Sequence, residues 1–114
     1  MTQGVGSCAY MAPEVRKGNN YDNKCDVWSF GVLVYELLYG ALPWDASKGE
    51  FQLFNKIMTI PLTFPKFPKR SRKMKRLLRQ MLEIDANKRI CWEDLINYVQ
   101  NFEIPKNPDV IQTT

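Results

Sequence analysis

The side chains of this sequence that could take part in chemistry are few and widely separated. Thr2, Ser7 and Tyr10 offer hydroxyls near the start, Glu14 and Asp26 offer carboxylates, and Arg89 offers a guanidinium far downstream. A hydroxyl donates and accepts at once, so Ser7 is suited to bridging two polar groups. Asp26 stands at the head of a long apolar stretch, where a carboxylate can satisfy the free amides of a helix N-terminus. On residue type alone, Glu14 and Arg89 read as ordinary solvated charges. The chain has no histidine, which removes the commonest general base and the commonest metal ligand. The three cysteines, Cys8, Cys25 and Cys91, lie far apart in no C-x-x-C spacing, so neither a zinc site nor a disulfide framework is suggested. Gly4 and Gly6 lead only into Ser7 and do not form a G-x-G-x-x-G phosphate loop.

The elements that must position these groups read as helices. The 114 residues are 45% hydrophobic, enough for a core and too apolar for a disordered chain. Ala12-Pro13-Glu14-Val15 can open a short helix, since proline and an acidic residue both suit a first turn, and Gly18 ends it. From Cys25 to Tyr39 the pattern predicts one helix with apolar residues on every side, which implies burial on all faces. Gly40 stops it, and Pro43 prevents its resumption. A weaker helix over 50–58 places Phe51, Phe54 and Ile57 on one face, and prolines 61, 65 and 68 mark an extended loop. Ser71 caps an amphipathic helix with Met74, Leu77, Leu78, Met81 and Leu82 at helical spacing. A last helix starts near Trp92 and turns Leu95, Ile96 and Val99 inward. No segment shows the period-two alternation of a strand, so the class is mainly α.

Four motifs, in order, resemble the eukaryotic serine/threonine protein kinase domain. Gly6-Ser7-Cys8-Ala9-Tyr10-Met11-Ala12-Pro13-Glu14 is similar to the end of an activation segment. Asp26-Val27-Trp28-Ser29-Phe30-Gly31 is similar to the D-x-W-S-x-G pattern of the central helix of the C-lobe. Gly40-Ala41-Leu42-Pro43-Trp44 resembles the loop that follows, and Leu82, Asp85 and Arg89 match L-x-x-D-x-x-x-R. The family often has proline after that aspartate, where this chain has Ala86. Within the family the look is that of autophagy-initiating kinases, with calcium-dependent and calmodulin-type kinases as near alternatives.

The resemblance implies a fold and a set of roles. Residues 1–104 become the lower part of a kinase C-lobe, an incomplete domain of helices around one buried central helix, with 105–114 as a loose tail. Glu14 and Arg89 become a buried ion pair tying the peptide-binding loop to the lobe. Asp26 becomes the anchor of a catalytic loop, and Ser7 and Tyr10 contact the substrate. Thr2 lies near the position of an activating phosphothreonine, although by spacing from Gly6 that position is Gln3.

The catalytic parts of the family are absent from these residues. There is no glycine-rich loop, no H-R-D and no D-F-G. The implied kinase therefore uses ATP and magnesium outside this stretch, which binds neither, and acts on protein substrates. The leading expectation is a fragment or truncated gene model that needs a missing N-terminal kinase portion, and the alternative is a short non-catalytic binding or regulatory module. Lys66 to Arg79 holds eight of the sixteen basic residues but no recognisable reader motif, so nucleic acid is not expected as a partner. No basic-then-apolar leader stands at the start, and the most apolar stretch, 27–38, is shorter than the ~20 residues of a membrane span, so a cytoplasmic protein is expected. A central helix without its upstream cover should leave the isolated chain poorly soluble or molten. Thermal melting and side-chain NMR dispersion test this, and a sharp cooperative melt with dispersed signals would refute it.

Overall fold

The computed structural model describes residues 9–18 and 22–101. These form five helices and, among the described residues, no strand. Thr2, Ser7 and the tail at 105–114 lie outside the described residues.

Helix α1 (Pro13–Arg16) is one turn, opened by proline and closed before Gly18, whose φ of 94° suits a residue without a Cβ. Helix α2 (Asn23–Tyr39) starts earlier than Cys25 because Asp22 caps it. The Asp22 carboxylate accepts from the backbone N–H groups of Lys24 at 2.9 Å and Cys25 at 3.2 Å, while the Cys25 sulfur accepts from the Asp22 N–H at 3.1 Å. The capping role expected of Asp26 therefore belongs to Asp22, four residues upstream, and Asp26 is exposed on the first turn. Gly40, with φ 78°, ends α2 in the left-handed conformation.

Helix α3 (Glu50–Thr59) buries Leu53 and Ile57, one turn apart. Phe51 does not join them. It is 82% exposed, because a helix that seats residues 53 and 57 turns residue 51 to the far side. Helix α4 (Arg72–Met81) is capped by Ser71, whose hydroxyl accepts from the Met74 N–H at 3.1 Å. It buries Leu77, Leu78 and Met81, with Leu82 buried just beyond it. Helix α5 (Trp92–Gln100) corrects the expected inner face: Leu95 is buried between the half-buried Trp92 and Tyr98, which share its side at spacings of three, whereas Ile96 and Val99 are exposed.

All of the core is built on α2. Cys25, Trp28 and Val32 pack with Ala12, Trp44, Leu53 and Ile57. Val27 packs with Leu77, Met81 and Leu95. Tyr35 and Tyr39 pack with Leu78. Gly31 sets the spacing to α4, since a Cβ there would sit 3.0 Å from Met81 Cβ and from Leu82 Cδ2. The incomplete cover expected of this helix falls along one line. Asp26, Phe30, Leu33 and Leu37 follow one another at helical spacing and are all exposed, because the four other helices cover only the remaining sides.

Leu78 is fully buried between α2 and α4, so Leu78→Ala should lower unfolding free energy by about 2–5 kcal/mol. Phe51→Ala should change it by less than about 0.5 kcal/mol. Urea denaturation of both variants checks the contrast.

Candidate functional site

The segment 9–16 is laid along α2 by polar contacts at both ends. The Ser29 hydroxyl donates to the Tyr10 carbonyl at 2.6 Å, and the Tyr10 hydroxyl donates to the Glu36 carboxylate. Hydrogen bonding to that carboxylate, then burial, raises the Tyr10 pKa and keeps the phenol protonated. Arg16 donates to the Met11 carbonyl at 2.8 Å and pairs with Glu50, which joins α1 to α3.

The far end of this segment is held by Arg89. Its guanidinium meets Glu14 in a bidentate pair, Nη1 to Oε2 at 2.7 Å and Nη2 to Oε1 at 2.9 Å. The remaining donors reach backbone carbonyls: Nη1 to Lys24 at 2.8 Å, Nη2 to Ile84 at 3.2 Å and Nε to Glu83 at 2.8 Å. All five N–H groups of the guanidinium are thereby used. Arg89 is 2% exposed and lies over the Trp28 ring at 5.1 Å, and Trp28 in turn stacks on Trp44 with centroids 5.7 Å apart. Lys24 reinforces the turn, donating through Nζ to the carbonyls of Ala86 at 2.9 Å and Arg89 at 2.8 Å.

Beside Tyr10 the uncovered face of α2 opens into a groove of about 560 Å³, lined by Tyr10, Asp26, Ser29, Phe30, Leu33 and Trp92. Among the described residues, no hydrogen bond is made to the Asp26 carboxylate. The groove holds one carboxylate among apolar side chains, and among the described residues no group of three His, Cys, Asp or Glu could hold a metal ion.

The structure thus brings Glu14 to Arg89, and Tyr10 to within one groove of Asp26. Sequence reasoning missed Asp22, Glu36, Lys24 and the Arg16–Glu50 pair. An aspartate three residues before a polar N3 position was the available signal for Asp22. Nothing in the spacing marks Glu36, which looks like an interruption of an apolar helix until Tyr10 is placed against it.

The structure is a set of helices around one central helix, with the segment 9–16 clasped by a buried arginine, and the family comparison gives its class: residues 1–99 match the model of the protein kinase domain, and the chain belongs to that family. Its relatives include calcium-dependent protein kinase 4 of Plasmodium berghei, 39% identical over 86% of this chain and 19% of the relative. They also include a RAC family serine/threonine-protein kinase homolog of Dictyostelium discoideum, 43% identical over 80% of this chain and 20% of that protein. Serine/threonine-protein kinase atg1 of the same organism is 36% identical over 82% of this chain and 14% of its own length. The matched region spans about a fifth or less of each of these relatives. No helix among the described residues is long and apolar enough to cross a membrane.

Removing Arg89 strands a half-buried carboxylate and three backbone carbonyls, so Arg89→Ala should destabilise the fold by about 3–5 kcal/mol in chemical denaturation. The pair also carries a pH signature. Burial pushes the Glu14 carboxyl up, but the hydrogen bonds and charge of Arg89 outweigh it, and the net pKa falls below the ordinary 4.5. A carboxyl depressed in the folded state stabilises the fold above about pH 4.5, and that contribution is lost as pH falls through the folded value. Stability measured from pH 6 down to pH 3 should therefore drop less steeply in Glu14→Gln than in the natural chain.

Proposed function

We propose that this chain is the peptide-binding floor and lower core of a serine/threonine protein kinase, and that it performs no phosphoryl transfer by itself. The observation that carries this reading is the open face of α2, where an exposed Asp26 carboxylate and the apolar stripe of Phe30, Leu33 and Leu37 stand beside the segment ending in Glu14. Such a face suits backbone amides and apolar side chains from a catalytic loop that these residues do not contain. Phosphoryl transfer rests on positioned phosphates, metal ions and a base. Glycine-rich, H-R-D and D-F-G motifs are all absent from the sequence, so ATP and magnesium belong to the missing N-terminal kinase portion.

In this reading Ser7 and Tyr10 face the acceptor peptide of a protein substrate, Asp26 anchors the catalytic loop, and Glu14 with Arg89 fixes the peptide segment's height above the lobe. The kinase domain portion is 1–104 and the tail 105–114, with Thr2 as a phosphorylation site and the cytoplasm as the compartment. The serine or threonine specificity is supported by Ser7, whose hydroxyl suits a bridge between a base and a substrate, and by the names of the relatives.

The test incubates the purified 114-residue chain with labelled ATP, magnesium and a protein substrate, and expects no transfer above the protein-free control. Transfer by the chain alone would refute the reading. Coding sequence upstream of Met1 with H-R-D and D-F-G in frame would favour the kinase-fragment form of it, and a stop codon there would favour a short binding module.

A further inference from the structure

The loop between α3 and α4 carries features that the site above leaves unused. It lies in a stretch, residues 51–82, that contains nine lysines and arginines and no aspartate or glutamate. The loop is pinned on both sides of its tip. The Trp44 indole donates to the Ile60 carbonyl at 3.0 Å, the Tyr35 hydroxyl to Thr63 at 2.7 Å, and Arg79 to Leu62 at 3.3 Å. Phe64 is seated against Tyr35 and Tyr39, with Arg79 and Lys75 over its ring at 4.9 Å and 5.8 Å. On the far side Arg70 donates to the Leu38 carbonyl at 2.8 Å. Between these pins stands Lys66-Phe67-Pro68-Lys69. All four residues are exposed, Phe67 at 75%, and among the described residues their side chains make no hydrogen bond, ion pair or ring contact. Arg72 and Arg76, one turn apart on the outer side of α4, are exposed as well.

We propose that this tip is a docking surface for an anionic lipid bilayer, with Phe67 entering the headgroup layer and Lys66, Lys69 and the outer arginines of α4 meeting lipid phosphates. The chemistry selects this partner in three ways. A phenylalanine held in water between two lysines gains from a surface that takes both an apolar ring and positive charge. Pro65 and Pro68 flank it and reduce the freedom lost on docking. Base stacking would call on several free rings, but Phe64 is already enclosed, and the other large apolar side chain exposed on the loop is Ile60, which can enter lipid and offers no stacking face. An acidic peptide would use the charge and leave Phe67 exposed.

The test is flotation of the full chain with vesicles of phosphatidylcholine and phosphatidylserine at 70:30 or of phosphatidylcholine alone, which separates bound protein from aggregate. The chain should float with the anionic vesicles at low salt and stay behind with the neutral ones. Near an anionic surface each lysine contributes about fivefold in partition, so Lys66→Glu/Lys69→Glu should lower it by roughly 25-fold or more. Phe67→Ala should lower it by roughly tenfold at any salt concentration. Lys48→Glu/Lys88→Glu makes the same change in net charge at exposed positions outside the loop and should leave most of the binding intact. Equal flotation with both vesicles, an equal loss in the two double variants, or unchanged binding by Lys66→Glu/Lys69→Glu would overturn the proposal. So would failure to float alongside tight binding, through Lys66 and Lys69, to a single-stranded oligonucleotide or an acidic peptide. Matching circular dichroism spectra across the variants show that the folds compared are the same.

Discussion

One guanidinium holds together segments that the chain itself keeps far apart. Arg89 contacts Glu14 in the first helix, Lys24 at the head of the central helix, and Glu83 and Ile84 in the turn before its own position. A buried charge of this kind is costly unless each donor is satisfied, and here each one is. Geometry therefore follows from charge. The segment 9–16 can lie in only one place on α2, because any other placement would strand a carboxylate, a cation and three carbonyls. The guanidinium carbon placed over the Trp28 ring extends the same constraint into the apolar core, and the stacked Trp44 carries it to the loop beyond α2.

The apolar packing explains why one helix can serve so many neighbours. Residues 27, 28 and 35 of α2 point into three different clusters, and Gly31 lets α4 come close enough to seal two of them. The line left over, from Asp26 to Leu37, is where the molecule presents chemistry instead of packing. Its polar end stands beside Tyr10, and its apolar end continues away from it.

Much of this was legible in the sequence, and the limits are physical. Helix existence followed from Pro13, Ser71, Gly40 and the 74–82 periodicity, since caps and breakers act locally. The central helix and its incomplete cover were recognisable, but which face stays open was not, because an apolar side chain reads the same whether or not something covers it. Phe51, Ile96 and Val99 were assigned inward for that reason: short helices carry too few residues to fix the phase of their buried face, and Leu53 or Leu95 wins the contact instead. The union of Glu14 and Arg89 was visible only through motif resemblance. Their spacing of 75 residues holds no local signal. Ser7 and Thr2 remain sequence readings, outside the described residues.

The cap of α2 has a further consequence. The Cys25 thiol donates to the Asp22 carbonyl at 2.8 Å, its residue is 1% exposed, and burial raises its pKa. A thiol held in this way is nearly silent toward alkylating reagents and oxidants, which attack the thiolate. It reacts only when the first turn of α2 opens. The rate of Cys25 modification is therefore a clock for that opening, read at a single sulfur atom in the residue next to Lys24, whose carbonyl Arg89 holds.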